Sequence, residues 1–203
     1  MVNRIKVNAA NDLVEVALNE FLDKGYKNAS VRQIAQKAGV STYLIYDRFT
    51  DKMGLFKAVV APAQEKLIEA YSKEMELFNN TCPDAPYKDM EKYVANRSDG
   101  IIDTIYDYIR EYKIMINSPF EAEFDSVIEK LVSIHTKQVV HYFDVLNIDV
   151  VSKVSPKLWQ IIYHSLFTSI FEVVRYDMSR EDAHIFNRQL LKYNMHGFQA
   201  FLE

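Results

Sequence analysis

The stretch from Ser30 to Phe56 leaves the chain few ways to fold. Its helix start and stop signals stand too close together for long elements. Ser30 is a good N-cap, and Gln33 three residues on completes a capping box. Val31, Ile34, Ala35 and Ala38 come next at helical spacing. Gly39 stands where a helix ends on a residue of positive φ. Ser41 caps a second helix with Leu44, Ile45 and Phe49 as its inward residues, and Asp51 caps a third beginning at Lys52. Two short helices joined by a glycine-containing link form a helix-turn-helix. The second of them is too short to stand alone, so its exposed side chains are expected to touch a partner.

The rest of the chain reads as helix throughout. Five Gly and five Pro in 203 residues suit long helices, and no sustained period-two run predicts a strand. A first helix spans residues 9–24, with Val14, Ala17, Leu18, Phe21 and Leu22 inward, Asp12, Glu15, Glu20 and Asp23 outward, and Gly25 as its stop. From Lys52 a helix can run to Phe78, kinked or split at Pro62. The segment from Asn79 to Tyr87 is the clearest loop. Helices over 88–117 and 123–146 come after it, the second announced by Ser118-Pro119. Ser155-Pro156 starts a helix ending near Asp177, and Ser179 caps the last. The expected fold is all-α: a three-helix head over residues 1–58 and a larger helical body over 59–203.

Charge divides the same way. Residues 1–60 carry nine basic and six acidic side chains, net +3, whereas the remainder carries −7. A basic head on an acidic body fits a modular nucleic-acid binder. Arg4 and Lys6, ahead of the first helix, are either a solvated terminus or an arm within reach of phosphate. The single cysteine, Cys82, excludes an internal disulfide and a cysteine-based zinc site. The apolar run 158–174 is broken by Gln160, His164, Ser165 and Glu172, which suits a buried helix better than a membrane span. The start, Met-Val-Asn-Arg-Ile-Lys, has no apolar core of signal-peptide type, so a cytoplasmic protein is expected.

The helix from Leu158 to Tyr176 is apolar over most of its circumference, which calls for burial on two sides, and the final helix carries a broad apolar face. One side would be the body and the other a second copy, with Gly197 permitting close approach and the homodimer forming through the two C-terminal helices; intramolecular core on both sides is the alternative. No His-Glu-x-x-His, Gly-x-Ser-x-Gly or phosphate loop occurs, and Asp99 and Asp103 have no histidine at ligand spacing. The chain is therefore not expected to be an enzyme or to hold a metal or cofactor.

The run Phe21, Gly25-Tyr26, Ser30-Val31-Arg32-Gln33-Ile34-Ala35, Ala38-Gly39-Val40-Ser41, Tyr46, Phe49, Lys52 and Leu55-Phe56 resembles the DNA-binding head of the tetracycline-repressor (TetR) family of bacterial transcription regulators. The likeness covers residues 9–58; in the body it extends only to helix number and the paired C-terminal helices. It implies an all-α homodimer that binds a short palindromic operator on double-stranded DNA and releases it when a small molecule enters the body. Carried over position by position, Arg32 reaches a base edge, and Ser41, Thr42 and Tyr43 lead the recognition helix. Tyr46 and Lys52 approach phosphate, Ser30 is a cap that can also donate to phosphate, and Arg48 completes the expected DNA-binding set; packing of the small head is the alternative for Tyr46. The chain departs from the family pattern at Tyr43, often a small residue, at Leu44, commonly polar, and at Asp47, usually histidine or an aromatic. Asp47 is repelled by phosphate unless it faces a cytosine N4 donor or pairs with Arg48.

The body is dense in aromatic residues, with Asn96, Arg97, His141 and His164 scattered among them. A small apolar or aromatic effector is expected there, with Tyr108, Tyr112, Met115, His135 and Phe167 as candidate contacts because they fall near the centres of converging helices. Ordinary core packing is the alternative for each. Two other functions fit the same sequence: an architectural DNA-binding protein, or a helical protein-interaction module without a small-molecule ligand.

Overall fold

Helix is the only regular structure among the described residues, which in the computed structural model are 2–81, 86–87, 99–119 and 121–202. In chain order the helices are α1 (Val2–Asn28), α2 (Val31–Lys37), α3 (Thr42–Phe49), α4 (Lys52–Thr81), α5 (Asp99–Asp107), α6 (Ile109–Ile116), α7 (Glu121–Val145), α8 (Val150–Lys153), α9 (Pro156–Ile170), α10 (Glu172–Arg175) and α11 (Arg180–Gln199). Asn96, Arg97, Phe120 and the side chains of Arg4 and Lys6 lie outside the described residues.

The punctuation expected around α2 and α3 forms as local chemistry dictates. Ser30 Oγ accepts the Gln33 amide at 3.4 Å. At the other end Gly39, at φ 67°, closes a Schellman motif: Val40 N–H donates to the Ala35 carbonyl and Gly39 N–H to that of Gln36. Ser41 Oγ accepts the Leu44 amide at 3.2 Å, and Asp51 Oδ1 accepts the Gly54 amide at 2.7 Å. The reciprocal half of the capping box is replaced. Gln33 Oε1 takes a hydrogen bond from Lys24, while the Ser30 N–H donates to the Glu20 carboxylate.

The chain divides into two compact units. One comprises Met1–Glu65 and Tyr108–Phe124; the other comprises Lys66–Asp107 and Asp125–Glu203. In the first, Leu13, Ala17, Leu18 and Phe21 of α1 are buried with Ile34, Ile45, Leu55 and Phe56. Phe21, Tyr26 and Phe56 form an aromatic trio with centroids 5.4–5.8 Å apart. Two expectations for α1 change. Leu13 is in the core while Val14 and Leu22 are half-buried, and Glu20 is fully buried. Glu20 tolerates burial because Lys24 and Lys37 donate to its two oxygens at 2.8 and 2.7 Å. These side-chain bonds, with the Ser30 N–H, hold its carboxyl down at about 2.

Several boundaries also move. Pro62 does not split α4, which runs unbroken to Thr81 and so extends into the expected loop. The expected helix over 88–117 breaks at Tyr108 into α5 and α6, and residues 88–98 lie outside the described residues. The Ser118 hydroxyl donates to the Met115 carbonyl at 2.9 Å at the end of α6, and α7 begins three residues on at Glu121.

In the second unit α9 buries Trp159, Tyr163, Leu166, Phe167 and Ile170 while Leu158 and Ile161 stay exposed. Helix α11 buries Ala183, Asn187 and Phe198 and leaves Ile185 and Tyr193 exposed. Charged groups join α11 to α5. His184 lies between Asp99 and Asp103, each ring nitrogen 3.1 Å from a carboxylate oxygen, Arg188 pairs with Asp99, and Arg180 pairs with Asp107. The two acids without a histidine in sequence range thus acquire one through the fold.

Candidate nucleic-acid interface and effector cavity

The short helix α3 has one buried residue, Ile45, and that single anchor fixes which side chains point outward. Thr42, Tyr43, Leu44, Tyr46, Asp47 and Arg48 are all exposed, Tyr43 by 75%. Leu44 is therefore not an inward residue. At the start of a helix, positions 44 and 45 lie about 100° apart, so burying Ile45 turns Leu44 toward the rim. Arg32, on α2, is exposed, and Ser30 and Ser41 stand at the N-termini of α2 and α3. Backbone N–H groups at such ends attract anions.

Four expected contacts are partly engaged inside the unit. The hydroxyls of Ser30 and Ser41 accept cap bonds from backbone amides, which leaves their own protons available to donate. Lys52 Nζ donates to the Lys27 carbonyl at 3.3 Å and lies 4.6 Å from the centre of the Tyr26 ring. Partial burial lowers its pKa. Lys52 thus closes the C-terminal end of α1, a role its position in the sequence does not announce. Arg48 stacks on the neighbouring Phe49 ring at 5.3 Å.

A corner locks α3 to α4. Thr50 adopts φ 70°, Asp51 N–H donates to the Phe49 carbonyl, and Gly54 packs against that same carbonyl. A Cβ at position 54 would stand 1.8 Å from Phe49 O, so only glycine fits.

The second unit contains a cavity of about 160 Å³. Its walls are mostly aromatic and aliphatic, among them Tyr71, Phe78, Tyr163, Leu166, Phe167 and Phe198. His135 lies on this wall, 2.5 Å from the Tyr71 hydroxyl through Nδ1, with the Tyr163 ring 4.2 Å away. Burial lowers the His135 pKa to about 4 and raises those of Tyr71 and Tyr163, so all three are neutral at pH 7.

Of the five candidate effector contacts, His135 and Phe167 line this cavity. Tyr108, Tyr112 and Met115 belong to the first unit and do not. Tyr112 is fully buried and donates to the Ala63 carbonyl at 2.8 Å, the Met115 sulfur accepts from Gln64 at 3.3 Å, and Tyr108 stands directly before α6 without a side-chain cap bond. Tyr71 and Tyr163 were not among the candidates. Both lie on the apolar stripes of their helices, where position alone does not separate cavity wall from solid core.

No described helix is long and apolar enough to cross a membrane, and the described residues contain no cluster that could hold a metal ion. The capped helix pair, with its outward side chains on a short second helix, defines the class: a helix-turn-helix head on an all-α body. Comparisons with known proteins agree. Residues 13–59 match the family model of bacterial regulatory proteins, tetR family. The HTH-type transcriptional regulator TtgW of Pseudomonas putida is 36% identical over 55 residues, 27% of this chain. The chain's match spans 41% of the length of that relative. A TetR-like transcriptional regulator from Rhodococcus sp. RHA1 has a similar fold, with a TM-score of 0.62 at 14% identity over 93% of this chain and 96% of that one. The TetR family regulator PfmR from Thermus thermophilus gives 0.57 at 16% identity over 89% and 97%. The head of this chain is thus similar to that of the tetR family of bacterial regulatory proteins, and the fold of the whole is similar to that of solved TetR-type regulators.

Proposed function

We propose that the protein is a cytoplasmic, ligand-responsive repressor that binds a palindromic operator on double-stranded DNA as a homodimer. The observation that carries this reading is the outward face of α3: six exposed side chains on a helix with one buried anchor. Arg32 suits a guanine edge through bidentate hydrogen bonds, and Tyr43 and Leu44 offer apolar contact to thymine methyls. Tyr46, Ser30, Ser41 and the N-terminal amides suit phosphate. Lys52 adds positive charge near the backbone while holding Lys27.

Self-association is supported by the apolar side chains that α9 and α11 leave exposed, Leu158, Ile161, Ile185 and Tyr193. A two-fold pairing of two helices per protomer gives a four-helix bundle and two copies of the head. Release is supported by the cavity and by α4, which contributes residues to both units and so carries a change in one to the other. An effector acts only if it binds the two states unequally; couplings of about 1–3 kcal/mol are typical.

Selection from random duplex DNA tests this. A two-fold symmetric consensus is expected, with affinity falling steeply as salt rises because phosphate contacts release counterions. Arg32→Ala blurs base preference at one position per half-site, whereas Lys52→Ala weakens all sequences alike. An asymmetric consensus, or variants that bind as wild type does, refutes the docking.

A further inference from the structure

We infer that the cavity of the second unit takes an uncharged, single-ring aromatic molecule carrying a carbonyl-type acceptor, which His135 recognises through Nε2–H. The inference rests on the reading of this cavity as the effector site, and it adds what the effector must look like.

Size comes first. At about 160 Å³ the cavity resembles the apolar cavities of about 150 Å³ that stay dry and take up benzene. Tyr163, Phe167 and Phe198 provide flat and edge-on ring surfaces on its wall, which aromatic guests match in offset or T-shaped contact.

Hydrogen bonding comes second. The Tyr71 hydroxyl has one proton, and His135 Nδ1 is its hydrogen-bond partner. A buried hydroxyl left without an acceptor is costly, so the proton points at Nδ1 and Nδ1 is the accepting nitrogen. In a neutral imidazole the other nitrogen then carries the proton. Nε2 has no hydrogen-bond partner among the described residues, and His135 lies on the cavity wall. Among the polar groups of this wall, which also include Gln138, Tyr163, Asn187 and Asn194, the imidazole thus offers Nε2–H to an acceptor on the guest.

Charge comes third. Glu74 also stands on the wall, but it has interactions of its own. An anionic guest would lie near that carboxylate in apolar surroundings, and a cationic one gains the carboxylate only by displacing the interactions that Glu74 already has. Isolated charges in such a medium are strongly disfavoured.

Four probes of similar size separate these terms: acetophenone, cumene, benzoate and 1-phenylethylamine, titrated calorimetrically into the full chain at pH 7. Acetophenone is expected to bind tightest, about three- to tenfold ahead of cumene, the worth of one neutral hydrogen bond. His135→Phe should erase that lead while cumene still binds, and the Nε2 resonance of 15N-labelled His135 should move with acetophenone only. If His135→Phe fails to fold, Tyr71→Phe serves instead. It frees the tautomer and should shrink the lead.

Cumene binding as tightly as acetophenone, or a lead that survives both substitutions, overturns the role of His135 and leaves the effector site standing. A charged probe binding tightest overturns the neutral class alone. Absence of binding by all four overturns both the inference and the effector reading of this cavity.

Discussion

Replacing Gly54 by alanine sets two effects of opposite sign against each other. Alanine in a helix interior is favoured over glycine by about 0.8–1.0 kcal/mol, so propensity alone predicts a more stable protein. Geometry predicts the reverse. The new methyl would lie 1.8 Å from Phe49 O and 2.9 Å from Phe49 C, both backbone atoms that no rotamer change can move. Restoring a tolerable contact requires a shift of roughly 1.5 Å at the end of α3 or in the first turn of α4. Either shift strains the Asp51 cap and the positive-φ Thr50. Overpacking of this kind costs typically about 1–3 kcal/mol, and loss of a cap adds about 1 kcal/mol. With the propensity gain subtracted, the expected loss is about 1–3 kcal/mol. At about 2–4 °C per kcal/mol for a chain of this size, Tm falls by about 2–12 °C.

Circular dichroism at 222 nm during thermal and urea unfolding measures this. Gly197→Ala gives the comparison: a Cβ there meets nothing within 4 Å in its own chain, so it reads the propensity gain together with any contact to a second copy. Gly54→Ala as stable as wild type or more so would refute the claimed closeness of α3 and α4.

Other consequences can be checked on the same footing. Glu20 has a folded pKa lowered from 4.5 to about 2 by its bonds to Lys24 and Lys37. Its contribution to stability is complete above pH 4.5 and disappears as pH falls toward 2. Glu20→Gln should lower stability at pH 7 by about 1–3 kcal/mol, allowing for half-exposed lysine partners, and flatten the acid limb of the pH–stability curve. An unchanged acid limb would count against the buried pair. Tyr112→Phe removes the donor to the Ala63 carbonyl and should cost about 0.5–1.5 kcal/mol in urea unfolding; a neutral result means that this bond contributes nothing net.

Much of the head was legible because its signals are local. Ser30, Ser41 and Asp51 cap helices through bonds to amides three residues on, and Gly39 supplies a backbone conformation that side chains resist. Glu20 and Lys52 were not legible in the same way. A carboxylate on α1 reads as solvated until Lys37 and the Ser30 amide arrive from another helix, and Lys52 reads as free until the end of α1 comes beside it. Leu44 shows the limit of pattern reading on an eight-residue helix, where neighbouring apolar residues leave two choices of face and only tertiary packing selects Ile45. In the body, helical spacing identified apolar stripes. Whether a stripe meets a neighbour or a void depends on distances between helices, which one-dimensional periodicity does not contain.

The corner at Phe49–Gly54 bears on retargeting. An engineer grafting a foreign reading sequence onto this scaffold would naturally exchange Thr42–Phe49 and treat the next five residues as inert. Here the transplant has to bring its exit geometry with it. The Phe49 carbonyl serves as the seat for position 54, and Thr50 holds a turn that few side chains accept. The portable cassette therefore runs through Gly54, and a swap that stops at the helix end would present the new residues at the wrong angle.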